Sequence, residues 1–304
     1  MQASTERPSS VRADLALLGV TAIWGFTFPA VQLALRDVRP LTFLAARFGL
    51  ATLILAGIFG RRAFRLSGRG LLAAVLLGLC LTSGSILQTI GLTHTTASKS
   101  AFITALYVVM VPLIAMIGER VRLRVSSLLA AALATAGLWL ITQPGVHGFN
   151  LGDLLTVGCS VAFAFHILIA EAATPHHDVV ALTFWQVLTT AVTCAICMTA
   201  VEPSTRPAGE GLAFPLTQWT LTALLVTAVL ATALAFAVQM WAQRETSATH
   251  AAVIFTGEPV FAALFAGWIQ GAWLGKVGVV GAALIVTGML LAQIGARPRS
   301  SGAT

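Results

Sequence analysis

Asp14 to Leu35 reads DLALLGVTAIWGFTFPAVQLAL, and Asp153 to Thr174 reads DLLTVGCSVAFAFHILIAEAAT. Each opens on an aspartate and then continues almost without charge for about 20 residues, the length a helix needs to cross a hydrocarbon core of about 30 Å. An offset of 139 superposes them without a gap, with Gly19 on Gly158, Trp24 on Phe163, Phe26 on Phe165, Thr27 on His166 and, in the next apolar run, Arg47 on Gln186. The stretch therefore settles two matters: it is a membrane helix, and it occurs twice.

The rest of the chain extends the pattern. Of its 304 residues 57% are hydrophobic and 10% charged, against roughly a quarter charged in a soluble domain. That balance excludes an ordinary soluble fold. Ten apolar runs fall near 15–35, 41–60, 70–93, 100–118, 125–142, 154–170, 179–201, 216–243, 251–269 and 277–296. An offset of 150 places Leu71 on Leu221, Thr82 on Thr232, Thr96 on Thr246 and Ala101 on Ala251. The register then slips by three, so that Val111-Pro112 meets Glu258-Pro259, and the last runs pair Leu133 with Leu284 and Gly137 with Gly288. Five spans is an odd number, so the second repeat must begin on the opposite face of the bilayer.

The predicted fold class is thus an all-α membrane protein of ten transmembrane helices, arranged as two inverted five-helix repeats over 14–142 and 153–295. A polar N-terminal tail (1–13) and a C-terminal tail (296–304) flank them. The first run is longer than a signal-peptide core and lacks a small-x-small cleavage site, so it is expected to stay in the mature protein.

The formal charge of +7 does not point to nucleic acid, since a nucleic-acid domain gathers its Lys and Arg on one solvated face. Here they lie between apolar runs, where the positive-inside rule applies. With the N-terminus inside, twelve fall on the cytoplasmic side: Arg7, Arg12, Arg61, Arg62, Arg65, Arg69, Arg120, Arg122, Arg124, Arg244, Arg297 and Arg299. Five fall on the other side, namely Arg36, Arg39, Lys99, Arg206 and Lys276, and Arg47 within a helix completes the eighteen. Both termini are predicted to be cytoplasmic, in a multi-pass protein of a bacterial cytoplasmic (inner) membrane. Cys80, Cys159, Cys194 and Cys197 all stand inside apolar runs. The CxxC of Cys194 and Cys197 has no third soft ligand near it in sequence, so no metal and no cofactor is expected.

Three stretches carry a resemblance: Ile23-Trp24-Gly25-Phe26-Thr27-Phe28, Thr95-Thr96-Ala97-Ser98-Lys99-Ser100-Ala101-Phe102 leading to Val111-Pro112, and Glu258-Pro259-Val260-Phe261-Ala262-Ala263-Leu264. In this order within a double repeat, they resemble the EamA family of the drug/metabolite transporter superfamily. The resemblance implies export or exchange of a small metabolite, amino acid or drug-like compound, with the site between the halves.

Within the ten runs only Arg47, His166 and Glu258 are ionisable. Such residues are expensive in hydrocarbon and mark cavities or proton paths. Glu258 stands between Gly257 and Pro259, and proline removes a backbone donor, so a break is expected there and likewise at Pro29 and Pro112. A carboxyl at a broken helix can bind a proton, a cation or an amine; the plainer role is a protonated donor that secures the kink. Arg47 suits a carboxylate in bidentate fashion, or a structural partner. His166 is either a cavity wall or a satisfied buried histidine. Gly78, Thr82, Ser85 and Thr89 share one helix face, answered by Thr232, Phe236 and Gln239, as cavity lining or as close packing. Trp24 and Tyr107 are candidate stacking walls, and Thr27 and Gln186 complete the candidate levels.

The leading function is secondary transport by alternating access, not enzymatic catalysis. The partners are a small-molecule substrate and the lipid bilayer, with protons as candidate coupling ions and no nucleic acid. No G-x-x-x-x-G-K-[ST] sequence for ATP is present. One charge moved across 100 mV supplies about 2.3 kcal/mol, enough to drive accumulation. An intramembrane aspartyl-protease-like enzyme is the alternative, suggested by Gly152-Asp153, but that chemistry needs two carboxyls sharing a proton. A sensor or scaffold would normally carry a soluble output domain.

Overall fold

The computed structural model describes residues 10–66, 68–119, 125–142, 150–202, 215–271, 273 and 275–296. Most of both predicted tails, and Arg7, Arg120, Arg122, Arg124, Arg206, Arg297 and Arg299, lie outside the described residues. Among those described, every regular element is a helix.

Helix α1 (Val11–Ala34) starts at Ser10, whose hydroxyl accepts the N–H of Ala13. Its counterpart α7 (Leu151–Ala173) starts at Asn150 with a capping box closed by Asp153. These caps satisfy amides that would otherwise lack partners at a helix end. Helices α2 (Pro40–Phe59) and α8 (Val179–Val201) follow. Next come α3 (Gly68–Leu92) and its composite counterpart: α9 (Gln218–Leu225), a π-helical stretch Val226–Leu234, and α10 (Ala235–Gln243). The fourth span of each repeat is broken in two, α4 (Ala97–Thr104) with α5 (Tyr107–Glu119), and α11 (Ala248–Phe255) with α12 (Glu258–Gln270). Helices α6 (Val125–Thr142) and α13 (Lys276–Ala296) close the repeats.

Among the described residues, eight helical segments are long and apolar enough to cross a membrane. The remaining two of the ten expected runs are α6 and α13, with shorter described apolar stretches, Leu128–Gly137 and Lys276–Gly288. Leu53, Ile58, Leu72, Val192, Ile196 and Trp268 stand exposed on the outside, a surface suited to lipid and not to water. The chain is a multi-pass membrane protein.

The internal register departs from the sequence alignment after the π stretch: the N-cap that matches Thr96 is Ser247, not Thr246. Helices α4 and α11 each have 8 residues, and α5 and α12 each have 13. Tyr107 and Glu258, 151 residues apart, are therefore equivalent, and Val111 is not the counterpart of Glu258. The cause is the π stretch. The third span has 25 residues in the first repeat and 26 in the second, and a π turn absorbs one extra residue within a continuous helix. The offset thus grows by one, whereas matching Pro112 to Pro259 imposes a false slip of three.

The prolines behave differently from one another. Helix α1 runs unbroken through Pro29, and Pro112 lies inside α5, downstream of the interruption at Ala105-Leu106. Membrane helices tolerate interior proline because neighbouring groups re-satisfy the freed carbonyl. Pro259 occupies the first turn of α12, directly after the interruption at Thr256-Gly257, where a missing N–H costs little.

The main helix contacts join one repeat to the other: α6 with α13, α3 with α7, α2 with α8, α3 with α8 and α1 with α12. Small residues make the crossings close. A Cβ on Gly137 would strike the Gly281 carbonyl, and one on Gly288 the Ala130 carbonyl. The ends of α2 and α8 are tied reciprocally. Glu202 accepts the N–H groups of Leu41 and Thr42, while Arg62 pairs with Asp178, the N-cap of α8, at 2.8 Å.

Candidate functional site

Where the two broken spans meet, the interior opens into a cavity walled by residues of both repeats. Glu258 lies ten residues from the start of α11 and Tyr107 ten residues from the start of α4. At 1.5 Å per residue this is about 15 Å, half the hydrocarbon thickness. The cavity therefore lies about halfway along the broken spans.

Its wall repeats itself. Trp24 and Phe163, Thr27 and His166, Ser85 and Phe236, Gln88 and Gln239, and Tyr107 and Glu258 are pairs of equivalent positions, and all ten residues line it. The scaffold is symmetric while the chemistry is not: a hydroxyl opposes an imidazole, and a phenol opposes a carboxyl. Arg47 adds a guanidinium, whereas its counterpart Gln186 stands behind His166, with Nε2 of the imidazole 2.8 Å from the Gln186 amide oxygen.

Trp24 organises the aromatic side. Its ring packs on Phe236 at 5.5 Å and Phe255 at 5.2 Å, and its indole N–H donates to the Ala231 carbonyl at 2.9 Å. Ala231 belongs to the π stretch, so the irregular turn orients this ring. The Tyr107 hydroxyl donates to Glu258 at 3.2 Å, linking the two breaks directly. Arg47 donates from Nε to the Thr232 hydroxyl at 2.9 Å and lies 5.0 Å from the Phe48 ring. The guanidinium is thus held by a neutral hydroxyl and a ring face.

A chain of amides fixes the polarity at one further point. Gln243 donates from Nε2 to the Ile167 carbonyl, which can only accept, so its own Oε1 must accept from Gln239 Nε2 at 2.8 Å. Gln239 Oε1 is then a fixed acceptor, and it has no protein partner. Buried acceptors of this kind call for a ligand or water.

Of the residues expected at the site, Trp24, Thr27, Arg47, Tyr107, His166, Gln239 and Glu258 line this cavity, while Thr82, Thr89 and Gln186 do not. Thr82 donates to the Gly78 carbonyl at 2.7 Å, and Thr190 reaches the same carbonyl at 3.0 Å. Gly78 at this end of the stripe packs against α8, whereas Ser85 of the same stripe lines the cavity. Gln88 and Phe255 were not expected; Gln88 becomes legible only once the π residue is counted, since it then falls on Gln239. Asp153, the residue behind the protease comparison, is engaged with Lys99 at 2.7 Å. No group of three or more His, Cys, Asp or Glu suited to a metal occurs among the described residues.

Comparison with known proteins agrees with this architecture. The model of the EamA-like transporter family matches residues 11–143 and 150–293. An uncharacterized transporter of Archaeoglobus fulgidus is 31% identical over 293 residues, covering 96% of this chain and 89% of its own. The uncharacterized transporter YoaV of Bacillus subtilis is 23% identical over 270 residues, 86% of this chain and 89% of its own. A solved crystal structure superposes with a TM-score of 0.76 at 18% identity, over 96% of this chain and all of that one, and shares the fold. Two matched repeats and a relative above 30% identity make this chain a member of the EamA-like transporter family, a membrane transporter.

Proposed function

We propose that this protein is a secondary transporter of ten membrane spans with both termini in the cytoplasm, moving a small organic solute by alternating access through the midplane cavity. The observation that carries the reading is the cavity wall, made of equivalent positions from two interlocked repeats. Inverted repeats can rock about a fixed midplane site and expose it to each side in turn. α6 and α13 supply the fifth and tenth spans, and the loop excess of arginine sets the orientation.

The solute is bipolar or carries several donors and acceptors. Arg47 offers a guanidinium, Glu258 a carboxyl, Gln239 a fixed acceptor, and the rings of Trp24, Phe163, Phe236 and Phe255 an apolar wall. Glu258 is also the candidate for proton coupling, as a buried carboxyl joined to the other repeat through Tyr107. The membrane is a cytoplasmic membrane.

The test is flux in proteoliposomes with an imposed pH gradient, screening amino acids, organic cations and sugars. A substrate-specific, gradient-driven flux is expected, and Glu258→Gln should abolish the response to the gradient while leaving insertion intact. Unchanged gradient dependence in that variant would remove Glu258 from the coupling role.

A further inference from the structure

Alternating access needs a closure at each end of the cavity, and the chain contains two ion pairs of one design. Asp14, in the first turn of α1, holds His250, in the first turn of α11, with Oδ1 and Nε2 2.9 Å apart. Asp153, in the first turn of α7, holds Lys99, in the first turn of α4, with Oδ2 and Nζ 2.7 Å apart. The two aspartates are equivalent in the repeat, and so are Lys99 and His250 once the π residue is counted. In each pair the acid comes from the first span of one repeat and the base from the fourth span of the other.

The pairs bracket the cavity and do not line it. Eight residues separate Lys99 from Tyr107 and His250 from Glu258, about 12 Å of helix in each case. Ten residues separate Asp14 from Trp24 and Asp153 from Phe163, about 15 Å. Because the repeats are inverted, the pairs stand at opposite ends. Each end has a second tie: Thr95 donates to Asp153 at 2.9 Å, and Ser10 donates to Glu245 at 2.6 Å.

All four side chains are buried, with exposures of 8% and 0% for Lys99 and Asp153 and of 4% and 7% for His250 and Asp14. A permanent staple between repeats is better made of apolar side chains, because desolvating two charges offsets most of their attraction. A charged pair has a property that an apolar staple lacks. When it separates into water, hydration replaces what the contact provided, so opening costs little. A buried acid–base pair at each end, between elements that must part, has the chemistry of a releasable contact.

We propose that Asp14–His250 and Asp153–Lys99 are the two gate latches of the cavity, one at each end, each released when that end opens to water. The proposal rests on the alternating-access reading, and its test does not need the cargo. Ser85→Cys, on the cavity wall, is placed in a full-length chain whose four cysteines are replaced, and a membrane-impermeant thiol reagent is applied to vesicles of each orientation. Lys99→Gln and Asp153→Asn should raise the labelling rate at least tenfold from one face. His250→Gln and Asp14→Asn should do so from the opposite face. Equal effects from both faces, or no change in rate, overturn the proposal. If a single variant does not purify as a monodisperse species, the exchanged pair Lys99→Asp with Asp153→Lys decides: parent-like labelling supports the latch, and open labelling overturns it. Face-specific labelling without any solute flux would leave the latches standing and defeat the transport reading; flux with unaltered labelling would do the reverse.

Discussion

Gly25 and Gly19 lie in the same helix, and they should respond oppositely to one methyl group. A Cβ on Gly25 would come within 2.5 Å of Phe261 Cβ and 2.9 Å of both the Ala262 nitrogen and the Glu258 carbonyl oxygen. None of these is the free end of a side chain, so α12 itself must retreat by about 0.6–1.0 Å to restore ordinary contact near 3.5 Å. Overpacking of this kind costs about 1–3 kcal/mol, while replacing a helical glycine by alanine returns about 1 kcal/mol. The net for Gly25→Ala is a loss of about 0–2 kcal/mol. Gly19 has nothing within 4 Å of the same position, so Gly19→Ala should keep the whole gain. Thermal unfolding in one detergent, read as the difference between the two variants, isolates the contact from the propensity term, which is common to both. Gly25→Ala should melt lower than Gly19→Ala by an amount corresponding to about 1–3 kcal/mol. It should also impair any flux that depends on Glu258, since the displaced segment is the first turn of α12. If the two variants melt together, α1 does not set the position of α12, and the account of how Glu258 reaches the cavity fails.

Three further outcomes follow from single contacts. Glu202 satisfies two buried N–H groups at the start of α2 as well as the Thr42 hydroxyl, so Glu202→Ala should lose about 2 kcal/mol or more and Glu202→Gln markedly less, measured by thermal melting. Tyr107→Phe removes the hydroxyl on Glu258 but keeps the ring packed on Phe255 at 6.4 Å; a stability change of about 1 kcal/mol or less is expected, together with an altered pH profile of flux, and an unaltered profile would separate Tyr107 from Glu258 in function. Partial burial of Asp178 opposes its charge but is outweighed by hydrogen bonds from Arg62 and the Val180 N–H, so its pKa falls below the ordinary carboxylate value. A depressed carboxylate contributes stability above the unfolded value near 3.9 and loses it as pH falls through the folded one. The stability gap between the parent and Arg62→Gln should therefore be flat from about pH 5 to 8 and close only below about pH 4; closure near pH 6.5 would refute the pairing.

The helices were legible because hydrocarbon imposes a length and an apolar composition that no other element meets, and the offset from Asp14 to Asp153 needed only residues local to two spans. The fourth span was harder to read. Its break falls at Ala105-Leu106, with no proline at that point, while Pro29, the more conspicuous breaker, sits in a continuous helix. Proline marks a missing donor, but whether a helix parts there depends on what neighbouring helices supply, and that is tertiary information. The register error has the same origin, since a π turn is a hydrogen-bonding pattern and leaves no residue signature in Val226–Leu234. The three intramembrane ionisable residues were the most readable part of the site, because their cost in hydrocarbon is a property of the residue alone. Thr82 and Thr89 do not line the cavity; a hydroxyl on a helix can return its hydrogen bond to its own backbone, as Thr82 does.

What remained invisible was every relation that crosses between repeats. Asp14 and Asp153 were read as the matching starts of two units, yet each finds its partner in the other unit, His250 or Lys99. The same holds for Arg47 with Thr232 and Tyr107 with Glu258. An internal alignment compares one repeat with the other and cannot report which residues touch across the interface. The consequence is physical. A scaffold with two equivalent halves has two equivalent ends, so its open states toward either face would be equal in energy if the residues matched. The positions that break the match include Thr27 against His166 and Tyr107 against Glu258 at the cavity, and Lys99 against His250 at its two ends. One end is held by Lys99 Nζ and the other by the His250 imidazole, so the two ends hold by unequal means. Under the proposed alternating access, geometry supplies the two states and unequal pairs such as these bias the energy difference between them.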